Sequence, residues 1–92
     1  MPTHRDVAAA EIALSSVYLT LESGEQAAEH GLKAVELMQA VYPATAATIA
    51  YMQLSLEDCL QLCNDRILQM QLMASLDDAK QKLTLHYGTA WY

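Results

Sequence analysis

The sequence predicts an all-α fold: a small antiparallel bundle of three to four helices forming one domain over residues 1–92. Three observations predict it. Apolar residues recur at steps of three and four from Val7 to Leu85, the spacing of one helix face. The interruptions are few, and each carries capping or helix-ending chemistry. No stretch alternates with the period of two that a half-buried strand shows.

The first helix has Thr3 as its N-cap, with Asp6 three residues later to complete a capping box. Val7, Ala10, Leu14, Val17, Tyr18 and Leu21 form its inward stripe. Ser23-Gly24 breaks the pattern, since glycine takes the backbone angles a helix end requires. A second helix runs from about Glu25 to Tyr42, with Ala28, Leu32, Val35, Met38 and Tyr42 inward. Glu25 and Glu29 in its first turn suit the helix dipole, and Pro43 ends it by pushing Tyr42 out of helical geometry. A long third helix starts at Ala44-Thr45 and carries Ile49, Met52, Leu56, Cys59, Cys63, Ile67 and Met70, a heptad-like seam as far as Cys63. Leu60, Leu68, Leu72 and Leu76 widen that face, so it is expected to lie between two neighbours. Asn64-Asp65 reads as a weak breaker, whereas Ser75, with Asp78 three residues on, reads as the cap of a last helix from roughly Leu76 to Tyr87. Gly88 stops that helix, and Trp91 and Tyr92 end the chain. Short connections make successive helices antiparallel neighbours.

Composition narrows the function classes. A chain of 92 residues buries only about 60–65% of its unfolded surface, yet 53% of its residues are hydrophobic. Part of that surface is therefore expected to face a partner or a second copy. A net charge of −6 opposes binding to nucleic acid and to anionic membranes. The N-terminal residues lack the apolar core of a signal peptide, and no run is long enough to span a bilayer, so cytoplasmic residence is the expectation. Cys59 and Cys63 agree with it: four apart, they share one helix face and read as small apolar core residues. Two ligands are too few for a metal site, and no cofactor is implied.

Two short constellations resemble known families. Leu14-Ser15-Ser16-Val17-Tyr18, followed by Ala27, Ala34, Val35 and Leu37, resembles one tetratricopeptide repeat over about Ala10 to Pro43. That resemblance implies a closely packed helical hairpin holding a peptide or helix in a groove. The turn glycine Gly24 falls later than in that family, and Gly31 stands where an aromatic is usual. His30-Gly31-Leu32-Lys33-Ala34 resembles the core of the histidine phosphotransfer domain, although that family has glycine where Ala34 stands. There an exposed imidazole is the phosphoacceptor, a small neighbour admits a receiver domain, and a lysine steadies the phosphoryl oxygens. Glu29 and Glu36 would surround such a site with negative charge. His4 and His86 sit near the chain ends without partner spacing.

No Ser-His-Asp set, facing carboxylate pair or glycine-rich phosphate loop appears, and Asp77-Asp78 and Glu57-Asp58 are helix neighbours that point apart. An enzyme is not expected. The reading that results is a small acidic protein-interaction module: an adaptor, chaperone, anti-activator or inhibitor of a larger protein with a basic surface. Met52, Leu56, Cys59, Met70, Met73, Trp91 and Tyr92 would line its apolar binding surface. Homodimerisation through the third-helix seam is the near relative of that reading, and phosphotransfer through His30 is the alternative.

Overall fold

The capping box forms as its residues require. Thr3 Oγ1 accepts from the Asp6 amide at 3.2 Å, and the Asp6 carboxylate accepts from the Thr3 amide at 3.2 Å. From this start α1 (His4–Thr20) runs unbroken, and α2 (Gly24–Gln39), α3 (Ala47–Leu54), α4 (Glu57–Leu62) and α5 (Arg66–Tyr87) follow. The computed structural model describes residues 3–43 and 46–88, and none of these lies in a strand. The fold is an all-α bundle.

Small side chains set the geometry of the α1–α2 hairpin. Ala8, Ala27, Ala28 and Ala34 have no exposed surface, and buried Ser15 donates from Oγ to the Ala27 carbonyl at 2.7 Å. The two backbones approach closely because nothing larger stands between them. This close packing decides which face of α1 turns inward. Ala8, Ser15, Ile12, Tyr18 and Leu19 face α2 and the core, while Leu14, Val17 and Leu21 are 42%, 54% and 65% exposed. The expected inward stripe of α1 is thus corrected: apart from Tyr18 and the half-buried Val7, it faces out.

The turn into α2 also differs from expectation. The left-handed residue is Glu22 (φ 58°), not Gly24, which is the first residue of the helix. Gly24 is needed for contact instead. A Cβ there would lie 2.2 Å from the Leu62 carbonyl oxygen and 2.8 Å from the Cys63 nitrogen. The backbone after α4 crosses directly over the start of α2, and the Glu25 carboxylate fixes it by accepting from the Asn64 amide at 2.8 Å. α2 ends at Gln39, a turn short of Tyr42.

The long third helix does not exist as one rod. It breaks at Ser55-Leu56 and again at Cys63–Asp65. Asp65 is a strong N-cap, its Oδ1 accepting from the amides of Ile67 and Leu68 at 2.9 and 3.1 Å. Ser75, expected to cap a last helix, lies inside α5, and its buried hydroxyl has no hydrogen-bond partner among the described residues. The last two helices of the sequence reading are therefore one helix of 22 residues, closed by Gly88 in the left-handed conformation (φ 74°).

Breaking the seam lets its pieces wrap the core. Ile49, Leu56, Cys59, Cys63 and Leu72 are at most 2% exposed and gather with the α1–α2 alanines. A second, smaller cluster joins Ala50 of α3 to Ala79 and Leu83 of α5. α3 and α5 also share a polar link, buried at Gln53 and Lys82 and half exposed at Asp78. Lys82, 5% exposed, donates to Asp78 Oδ2 at 2.7 Å and to Gln53 Oε1 at 3.1 Å, and Gln53 Nε2 donates to Asp78 at 3.1 Å. Burial opposes ionisation of Asp78, but the Lys82 ammonium and the Gln53 amide outweigh it and hold the carboxyl below its ordinary range. Beyond this link the hydroxyls of Tyr51 and Tyr87 meet at the open end of the α3–α5 pair. The molecule is flat, 37 × 35 × 20 Å, with a radius of gyration of 12.9 Å against about 12 Å expected for a sphere-like domain of this length.

Candidate interaction surfaces

A flat bundle leaves helix faces uncovered, and α5 leaves the most apolar one. Its N-terminal half turns Leu68 and Leu72 to the core, which sends Ile67, Met70 and Met73 outward at 70%, 68% and 55% exposure. The spacing of three keeps them on one side of the helix, with exposed Ala74 among them. Arg66 and Asp77, both exposed, stand at its two ends. Beside this face lies a groove of about 390 Å³ between α2 and α5, lined by Glu29, Leu32, Lys33, Glu36, Leu68 and Gln71. Its floor is leucine and its rim carries two carboxylates and one ammonium. An amphipathic segment with an apolar edge and a basic flank has the matching chemistry.

The expected binding residues divide. Met70 and Met73 are on this face. Met52 is half-buried against the main core, away from solvent on its inner side. Leu56 and Cys59 are each 1% exposed, so they are core residues and are withdrawn from the surface. The physical reason is that the seam faces inward on both sides of the break at Ser55-Leu56, with Ile49 before it as fully buried as Cys59 after it. Burial pushes the Cys59 thiol above its ordinary range, which opposes thiolate chemistry there. Trp91 and Tyr92 lie outside the described residues. Ile67 continues the seam of Cys63 in the sequence, yet it is 70% exposed. Asp65 as a cap was the signal that a new helix, with its own phase, begins there.

His30 does not stand clear of its helix. Its Nδ1 meets Glu11 Oε2 at 2.5 Å, and its ring stacks on Tyr18 with centroids 5.3 Å apart and planes within 5°. Its side chain is 31% exposed and that of Glu11 is 17% exposed. Glu11, nineteen residues away on α1, is the partner that helical periodicity did not reveal. With Nδ1 engaged, Nε2 is the ring nitrogen left to act. Among the described residues no three of His, Cys, Asp and Glu converge as metal ligands.

The comparisons with known proteins add no kinship: no protein-family model, no curated protein and no solved structure matches this chain.

Proposed function

We propose that this chain is a small acidic protein-interaction module, acting as an adaptor, chaperone, anti-activator or inhibitor of a larger protein. The observation that carries the reading is the Ile67–Met70–Met73 face beside the acidic-rimmed groove. Three large apolar side chains stand in water at helical spacing, in a chain with few residues to spare for solvent. Methionine suits this task because its unbranched, polarisable side chain adapts to the surface it meets. The occupant is a basic amphipathic helix or strand of another protein. Steering by the −6 net charge raises the encounter rate and weakens with salt, whereas the apolar contact does not. A reducing compartment such as the cytoplasm suits the two free, buried cysteines. In the described residues no helix is long and apolar enough to cross a membrane.

Met70→Glu tests the reading, because it places a charge at the centre of the face without touching the core. Partner recovery in a pull-down with tagged full-length chain should fall at least tenfold, about 1.4 kcal/mol. Helicity and melting should stay unchanged. A partner retained at wild-type level by Met70→Glu contradicts it.

Phosphotransfer through His30 is the second reading, and the Glu11 contact is what favours it. A carboxylate on Nδ1 fixes the imidazole with Nε2 as nucleophile. It requires acid-labile phosphorylation of His30 by a phosphodonor protein, abolished in His30→Gln.

A further inference from the structure

The outer face of α1 is the second exposed apolar surface, and its chemistry differs from that of α5. From Val7 to Leu21 the only charged residue is Glu11, and Glu11 is turned inward to His30. What faces out is Ala9, Ala10, Ala13, Leu14, Ser16, Val17, Thr20 and Leu21, every one exposed. A solvated helix face ordinarily carries charges. The two hydroxyls on this face are already satisfied by their own helix: Ser16 donates to the Ile12 carbonyl at 3.1 Å and Thr20 to the Ser16 carbonyl at 3.0 Å. They need no water. The face rises about 18 Å along the helix, with small residues at Ala9, Ala13 and Ser16 beside the larger Leu14, Val17 and Leu21.

We infer that this face pairs with the same face of a second copy, α1 against α1 about a two-fold axis. Charge selects that occupant. Each copy carries −6, so contact through most of the surface sets carboxylates against carboxylates, and a neutral face is where two copies meet at least cost. The alternation of small and large residues is self-complementary in an isologous contact, the ridge of one copy entering the hollow of the other. A basic partner gains little here, for the exposed carboxylates nearest the face, Asp6 and Glu22, stand only at its two ends. A lipid surface is disfavoured by the net negative charge, with Arg5 the sole Lys or Arg before Lys33. A contact confined to one helix is at the low end of specific interfaces, so the association is a weak, reversible one.

Sedimentation equilibrium of the full chain over a range of concentrations tests this, with two variants of opposite charge. Wild type should show a reversible monomer–dimer equilibrium that holds or tightens as salt rises. Val17→Glu and Ala13→Lys should each weaken it at least tenfold with helicity unchanged, although the lysine lowers the net negative charge. Met70→Glu should leave it intact, which separates this surface from the proposed partner site. A wild-type monomer at every concentration overturns the inference. So does a dimer untouched by both α1 variants, a dimer lost only in Val17→Glu, or binding of phosphatidylcholine vesicles in place of self-association.

Discussion

At single positions, the closest approaches in the molecule decide what can be changed. Gly24 and Gly31 are both buried, but they face different obstacles. A Cβ on Gly24 meets backbone after α4, whereas one on Gly31 meets the tip of the Leu56 side chain at 2.3 Å. Backbone cannot step aside cheaply and a leucine methyl partly can. Gly24→Ala should therefore destabilise the fold by about 2–4 kcal/mol and Gly31→Ala by about 1–2 kcal/mol, read as the shift in urea midpoint. The Asp78 carboxyl gives a pH signature at the same scale. Its folded value lies below the ordinary 3.8, so its contribution is present above the unfolded value and disappears as pH falls through the folded one. Stability measured by urea melts should drop below about pH 4, and Asp78→Asn should remove that part of the drop. At neutral pH, Asp78→Ala should cost about 1–2 kcal/mol, because buried Lys82 keeps only Gln53. Of these contacts only Asp78–Lys82, four apart on one helix, has a spacing that the sequence displays. Gly24 looked like a helix terminator because glycine serves both purposes, and only the path of residues 62–63 tells them apart.

At the scale of elements, capping chemistry was legible at the two ends of the chain and misleading inside it, where Ser75 caps nothing and Asp65 starts a helix. The Thr3–Asp6 box and the Gly88 stop could be read from residue type alone, since each acts on its own helix end. The phase of α1 could not. Its apolar residues surround the helix, and Ala8 and Ser15 won the inner face by being small enough for α2 to approach, not by being more hydrophobic. The seam of the third segment was correct in its buried members, Ile49, Leu56, Cys59 and Cys63, and failed where Asp65 restarts the helix with Ile67 and Met70 outward. Asp65→Ala should cost about 1 kcal/mol by leaving the Ile67 and Leu68 amides without their acceptor, with far-ultraviolet helicity nearly kept. Because that cap fixes where α5 begins, it also fixes which side chains its exposed face presents.

The whole molecule is a two-sided slab whose apolar content exceeds what its core absorbs. The α1–α2 hairpin and the α3–α5 pair share the core, α4 closes it, and outward faces remain on α1 and on α5. The all-α class and the excess of apolar residues were legible in composition and spacing. Which faces carry the excess was not, because that depends on breaks of one or two residues. Charges stand at the ends of both faces, Asp6 and Glu22 on α1 and Arg66 and Asp77 on α5, but the groove rimmed by Glu29 and Glu36 lies beside α5. On that difference rest the two proposals, self-association through the first and capture of a basic partner by the second. The most direct test of the central claim is a pull-down from native lysate at moderate salt with wild type, Met70→Glu and His30→Gln side by side. One stoichiometric partner is expected on wild type and His30→Gln, and none on Met70→Glu. A partner that stays on Met70→Glu and leaves with His30→Gln would contradict it and move the function to the imidazole.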